Sequence, residues 1–145
     1  MKFGGTSVAD AARVRRVAAR AVAAREAGND VVLVASAMGK STDHLIDLAN
    51  DVSPAPNQRE MDMLLSTGER ISCALIAMAV HDLGHKAVSF TGSQAGIITT
   101  SEHTNAKIVE IRGHRLHDAL EQGHIVLVAG FQGVSLEANV TTLGR

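Results

Sequence analysis

Lys2-Phe3-Gly4-Gly5-Thr6-Ser7 places a lysine, two adjacent glycines and two hydroxyl side chains immediately ahead of a helical pattern. Adjacent glycines let backbone N–H groups come close to an anion. A following helix presents unpaired N–H groups and the positive end of its dipole, and the lysine adds a mobile charge. Those are the parts of a phosphate cradle. The spacing differs from the usual P-loop, which puts four residues between its glycines and its lysine after them. A glycine turn capping the first helix beside a solvated lysine fits the same six residues, so their meaning depends on what the rest of the chain places around them.

Outward from the cradle, Val8, Ala11, Val14, Val17, Ala18, Ala21 and Val22 recur every three or four residues, while Arg13, Arg15, Arg16, Arg20 and Arg25 mostly fall between them. That spacing predicts an amphipathic helix ending near Gly28-Asn29. Its arginines fit a solvated helix face and also a reach toward a nucleotide phosphate. Val31-Val32-Leu33-Val34 is a short, unbroken aliphatic run of the kind that forms strands buried on both faces, and such strands are usually parallel. It runs into Ser36-Ala37-Met38-Gly39-Lys40-Ser41-Thr42, a polar loop at the position where open α/β sheets hold their ligands. Ser41 or Thr42 can cap a helix from Asp43 to about Asp51 with Leu45, Ile46, Leu48 and Ala49 inward, and capping alone accounts for both hydroxyls.

Ser53-Pro54-Ala55-Pro56-Asn57-Gln58 contains both prolines and reads as a surface connection suited to a mobile lid. The longest helix is predicted from Met61 to Leu83, its core face at Met61, Leu64, Leu65, Gly68, Ile71, Leu75, Ile76, Ala79 and Leu83. Within it lies Ser66-Thr67-Gly68-Glu69-Arg70, where Glu69 fits a site-facing carboxylate and an exposed ion-paired one equally. Ala87 to Phe90, Ile97 to Thr100, Ile108 to Ile111 and Ile125 to Ala129 read as strands, with a short helix from about Arg115 to Gln122. Alternating strands and helices predict an α/β fold, a mainly parallel sheet covered by helices on both faces.

Composition narrows the function classes. The chain has 145 residues, suited to one domain. Fourteen Lys and Arg against fifteen Asp and Glu leave a net charge of −1, and no basic run interleaves with aromatic residues, so nucleic acid is not an expected partner. No apolar run reads as a membrane span, and no cationic-apolar leader is present, which points to a soluble cytoplasmic protein without a membrane partner. Cys73 is the single cysteine; it lies in an apolar helical pattern and reads as an inert buried thiol. The seven histidines read as surface residues, with no ligand pattern for a metal.

Taken in order, Lys2-Phe3-Gly4-Gly5-Thr6-Ser7, Ser36-Ala37-Met38-Gly39, Ser66-Thr67-Gly68-Glu69, Phe90-Thr91-Gly92-Ser93-Gln94, Val128-Ala129-Gly130-Phe131-Gln132-Gly133 and Thr141-Thr142-Leu143-Gly144-Arg145 resemble the amino-acid kinase superfamily, and within it the aspartate kinases. The resemblance covers the whole chain. It implies a three-layer α/β/α sandwich and phosphoryl transfer from MgATP to the side-chain carboxylate of L-aspartate, the committed step toward lysine, threonine and methionine. It implies ATP as donor, Mg2+ bound through ATP and no protein metal site, and L-aspartate as acceptor. Homo- or hetero-oligomers of kinase subunits are implied for the intact enzyme. By the same resemblance Lys2 stabilises charge on the transferring group, Lys2, Phe3, Gly4, Gly5 and Ser36 surround the ATP phosphates, and Ser41, Thr42, Glu69 and Arg145 bind the amino acid, Glu69 through its ammonium and Arg145 through a carboxylate.

The ends depart from the pattern. Only Met1 precedes Lys2, so the strand that normally leads into a glycine turn is expected to be missing, and the family's motif continues beyond Arg145 into Gly-Gly-Ser-Asp and a nucleotide-binding segment. The expectation is therefore the N-terminal part of a catalytic domain, an incomplete amino-acid kinase fold inactive on its own. A non-catalytic paralogue binding aspartate or phosphate, and a kinase for another carboxylate, are the alternatives.

Overall fold

A computed structural model describes residues Met1–Gly144; Arg145, expected to clamp a substrate carboxylate, lies outside the described residues. Two four-stranded sheets share the chain. The first is wholly parallel, in the order β1 (Lys2–Phe3), β2 (Val32–Ala35), β6 (Ile125–Ala129), β3 (Ala87–Phe90). Every residue of β6 is buried, as an aliphatic central strand covered on both faces must be. Above this sheet, α1 (Ala11–Glu26) and α3 (Gln58–Asp82) close a core of Val14, Val17, Ala21, Leu33, Ile76, Val80, Ile125 and Leu127. On the other face, α4 (His114–Glu121) packs Ala119, Leu116 and Leu120 against Phe90, Val126 and Val128. The three-layer α/β/α order follows from these two cores.

The cradle itself supplies the strand expected to be missing. Lys2 and Phe3 pair with Val34 and Ala35 in parallel register, and Ser36 donates its N–H to the Phe3 carbonyl at 3.0 Å. The run into the glycines is thus two residues long and set at one edge of the sheet, too short for periodicity to register. Gly5–Val8 then turn as a 3-10 segment, and Asp10 caps α1 by accepting from the Arg13 N–H at 2.8 Å.

A second sheet, in the order β5 (Ile108–Ile111), β4 (Ile97–Thr99), β7 (Gln132–Ser135), β8 (Val140–Thr142), was not expected. It is mixed: β4 pairs antiparallel with β5, β7 antiparallel with β8, and β4 parallel with β7. The aliphatic residues of β4 and β5 mark them as strands in the sequence, whereas β7 and β8 are short and carry glutamine, glycine, serine and threonine, which weakens their signal.

Helix α3 corrects the sequence reading most. Its buried side chains are Asp62, Leu65, Ser66, Glu69, Ser72, Cys73, Ile76, Ala77 and Val80, so the inward face is rotated from the predicted one. Ile71, Leu75 and Leu83, expected inside, are exposed. By length and composition α3 is apolar enough to cross a membrane, contrary to the expectation, yet half of that window is buried within the protein. Four polar residues line its inner face: Asp62 bonds Thr142 of β8, the Ser66 carbonyl accepts from Gln132 of β7, Glu69 accepts from Ala37 in the loop after β2, and Ser72 bonds the Gly68 carbonyl within the helix. Likewise α2 (Ser41–Val52) follows its predicted span, but no residue in it is fully buried. The proline connection lies about 16 Å along α2 from that helix's start, at a rise of about 1.5 Å per residue, and borders an apolar cleft with Leu48, Val52, Met61 and Leu64.

Candidate active site

Turns at the carboxyl ends of β1, β2 and β6 meet the start of α2 and the middle of α3 around a polar cavity of about 270 Å3. Gly5, Ser36, Ala37, Gly39, Thr42, Asp43, Glu69 and Phe131 line it. Its position is the crevice that open parallel sheets offer to ligands. The cradle and the β2 loop are tied together: Gly39 donates its N–H to the Gly5 carbonyl at 3.0 Å, and Ser7 to that of Gly4 at 2.9 Å.

The two cradle glycines differ in what requires them. A Cβ at Gly5 would stand 2.9 Å from the Ala37 carbonyl oxygen and 3.1 Å from that of Gly39, so the protein's own packing excludes a side chain there. A Cβ at Gly4 would meet nothing within 4 Å, and its backbone is ordinary extended chain at φ −76°. Nothing within the described protein demands glycine at position 4, and the space it leaves open is room for a group from outside to approach the backbone.

Glu69 forms the floor. It is 3% exposed, and its Oε1 accepts from the Ala37 N–H at 3.2 Å. Gly68 beside it brings α3 against the loop, since a Cβ at 68 would fall 2.8 Å from that of Ala37. This is the physical reason for small residues in the middle of the long helix. A buried carboxylate set in a polar cavity suits a cationic group of a ligand. Thr42 and Asp43 sit in the first turn of α2, at the positive end of its dipole.

Of the residues singled out in sequence, Gly5, Ser36, Thr42 and Glu69 converge on this cavity, and Gly4 is the chain neighbour of Gly5. Lys2 is exposed on the edge strand and makes no ion pair among the described residues. Phe3 departs from its expected place among phosphate contacts in one respect: its ring is buried in the core, 7% exposed, with the Arg20 guanidinium 5.5 Å from the ring centroid. Only its backbone is left to face the cradle. The Ser41 hydroxyl donates to the Met38 carbonyl and borders an adjoining groove with Lys40, His44 and Ile71. The helix cap expected of Ser41 is not formed: Lys40 holds the N-cap position of α2 with no side-chain cap hydrogen bond, and Ser41 is the first helical residue.

Asp43 and the backbone around Phe131 had no place among the predicted contacts. An acid in the first turn of a helix that leaves a site loop was the available signal for Asp43. Phe131 has φ 63°, which no sequence pattern announces. Cys73 lies behind Glu69, 1% exposed. Burial pushes its thiol up to about 12, the nearby Glu69 charge adds to the effect, and a backbone hydrogen bond with Ala35 opposes it. It is no nucleophile at neutral pH. His103, read as a surface residue, is half-buried and hydrogen-bonds Asp62 through Nδ1 at 2.7 Å.

The amino acid kinase family model matches residues 1–145. Among curated proteins the chain is 66% identical over 145 residues to an aspartokinase of Mycolicibacterium smegmatis and 52% identical over 144 residues to aspartokinase 2 of Bacillus subtilis, covering 99% of this chain in each case. It spans about a third of their length, 34% and 35%. Among solved structures, the aspartate kinase of Synechocystis superposes with a TM-score of 0.82 at 50% identity, over 99% of this chain and 23% of that one. Aspartokinase III of E. coli, solved in complex with aspartate and ADP, gives 0.84 over 99% of this chain and 43% of that one; at 22% identity this is a likeness of fold.

Proposed function

This chain belongs to the amino acid kinase family, and we propose that it builds the acceptor side of an aspartate kinase site, for phosphoryl transfer from MgATP to the side-chain carboxylate of L-aspartate. The product is 4-phospho-L-aspartate, the acyl phosphate that opens lysine, threonine and methionine synthesis in the cytoplasm. One observation carries the reading: a carboxylate, Glu69, is buried at the floor of a polar cavity whose rim is a glycine cradle. A cavity so built takes a ligand with a cationic end and an end that approaches phosphate. A free amino acid acting as phosphoryl acceptor is such a ligand. The 50–66% identities to aspartokinases support aspartate over other acceptors. The fold alone is shared more widely, with a TM-score of 0.57 to an isopentenyl phosphate kinase.

The residues divide the work in the following way. Glu69 receives the substrate ammonium, held in place by the Ala37 N–H. Thr42 contacts the amino acid, with Ser41 shaping the loop beneath it and Arg145 supplying a planar fork for a carboxylate. Gly4 and Gly5 present backbone N–H groups to phosphate oxygens, with Ser36 across the cradle, and Lys2 on its flexible stem stabilises the charge that spreads over the transferring group. The transition state of such transfers is loose, so placing the carboxylate in line matters more than any protein nucleophile.

The open space at Gly4 fits a triphosphate approach. Mg2+ carried on the triphosphate would supply charge neutralisation there, beside Lys2 and the Gly4 and Gly5 N–H groups; no cluster of three or more His, Cys, Asp or Glu placed to hold a metal occurs among the described residues.

Hydroxylamine trapping tests the proposal. The chain, alone and continued by the C-terminal remainder of the M. smegmatis aspartokinase, is incubated with MgATP and a panel of amino acids. Aspartyl hydroxamate from the continued protein is the expected result. ATP consumption with a different acceptor and none with aspartate would remove the assignment of substrate.

A further inference from the structure

Asp62 is fully buried, 0% exposed, seven residues before Glu69 and so on the same face of α3. Its two carboxylate oxygens bind two distant segments, β8 and the 103–104 turn. Oδ1 accepts from the Thr142 hydroxyl on β8, a residue 80 positions away. Both oxygens accept from the Thr104 N–H, at 3.0 and 3.2 Å. Oδ2 also bonds His103 Nδ1 at 2.7 Å.

Two residues bound to this arrangement hold backbone conformations that L side chains rarely adopt. Thr104 has φ 63°, a costly place for a β-branched residue, and its N–H is the one bonded to Asp62. Phe131 also has φ 63°, and its carbonyl accepts from the Leu143 N–H at 2.9 Å, immediately after Thr142. Phe131 also lines the cavity. Its neighbour Gln132 is buried as well, and its Nε2 donates to the Ser66 carbonyl at 2.8 Å. Asp62, Ser66 and Glu69 thus form one polar stripe on α3, at i, i+4 and i+7. The first two residues hold the Phe131 side of the cavity, and the third holds the Ala37 side.

We propose that Asp62 is a positioning residue for the acceptor, fixing the Phe131 wall of the cavity against the Glu69 floor by clamping β8 and the 103–104 turn onto α3. It touches no reacting atom. The inference rests on the acceptor reading of the cavity given above. Removing the clamp leaves the glycine cradle and Glu69 in place but lets β8 and Phe131 shift, so it weakens binding of the amino acid while sparing the nucleotide.

The test uses Asp62→Asn, which keeps the size but turns one acceptor into a donor, and Thr142→Val, with Thr142→Ser as the conservative partner. In the chain itself, hydrogen exchange at the Thr104 and Leu143 amides is expected to quicken at least tenfold in Asp62→Asn, with the amides of β6 unchanged. In the chain continued by the M. smegmatis remainder, Asp62→Asn and Thr142→Val are each expected to raise the KM for aspartate about tenfold or more. The KM for ATP should stay within about twofold, Thr142→Ser should restore the wild-type value, and the double variant should be no worse than either single one.

Lower thermal stability with both KM values unchanged would make Asp62 structural only and overturn the proposal, as would parallel rises for aspartate and ATP. If Asp62→Asn loses protection throughout, Thr142→Val decides by the same criteria. If the unsubstituted continued protein makes no aspartyl hydroxamate, the aspartate reading fails instead, and the exchange rates alone decide the clamp.

Discussion

Replacing Gly68 by alanine sets two effects of opposite sign against each other at the centre of the site. Inside a 25-residue helix, alanine is intrinsically better than glycine by about 1 kcal/mol. The new Cβ, however, would stand 2.8 Å from the Cβ of Ala37, where carbon atoms rest at about 3.5–4.0 Å. Helix and loop must separate by close to 1 Å. The loop cannot yield freely, because Ala37 is 4% exposed and its N–H is bonded to Glu69. Overpacking of this kind costs about 1–3 kcal/mol, so the expected net effect is a destabilisation of about 1 kcal/mol.

Ala37→Gly removes the opposing methyl. In that background Gly68→Ala should stabilise by about 1 kcal/mol, giving a coupling of about 2 kcal/mol between the two positions. Urea unfolding is best followed by far-UV circular dichroism, since the chain has no Trp or Tyr. Equal effects of Gly68→Ala in both backgrounds would refute the close approach of helix and loop, and with it the account of why Glu69 faces the cavity.

Three further outcomes follow from the same packing. Gly92→Ala would place a Cβ 2.1 Å from the Gln132 carbonyl oxygen and 3.0 Å from the Gly133 Cα; with backbone on both sides, a loss of about 3 kcal/mol or more is expected by denaturant titration, and an effect under about 1 kcal/mol would contradict the packing of the two turns. Glu69→Gln in the continued protein should raise the KM for aspartate about 30-fold or more, as expected for loss of a charged hydrogen-bonding partner, with little change for ATP; an unchanged KM would remove Glu69 from the ammonium site. The Cys73 thiol, held up to about 12 when folded against 9.0 for the free side chain, binds its proton more tightly in the folded chain. Its contribution to stability is whole below pH 9 and drains as pH rises toward 12, by about 1.4 kcal/mol per pH unit. Cys73→Ala should flatten that alkaline slope, and an identical slope in both proteins would refute the burial argument.

Much of the parallel sheet was legible because its signals are local. Val31-Val32-Leu33-Val34 and Ile125-Val126-Leu127-Val128-Ala129 have no polar residue to offer to water, so a doubly covered strand is the arrangement open to them. The second sheet was less legible, because β7 and β8 carry Gln132, Gly133, Ser135, Thr141 and Thr142, and most of these are buried through pairing and hydrogen bonds rather than by being apolar. Of the residues that line the cavity, Gly5, Ser36, Thr42 and Glu69 had been singled out in the sequence, while Phe131 was not assigned a place in it. Its contribution is a backbone conformation held by contacts elsewhere.

The aliphatic strands β2, β3 and β6, the approximate spans of the helices and the glycine turn were legible in the sequence, since each depends on residues within one turn or one strand of each other. Which face of α3 turns inward was set by tertiary contacts. Apolar residues occur on more than one side of that helix, so periodicity admits more than one answer. The chosen face is the one whose polar groups find distant partners: Glu69 with Ala37, 32 residues away, Ser66 with Gln132, 66 away, and Asp62 with Thr142, 80 away. A buried polar side chain is tolerated only where such a partner arrives, and its arrival is a property of the assembled fold.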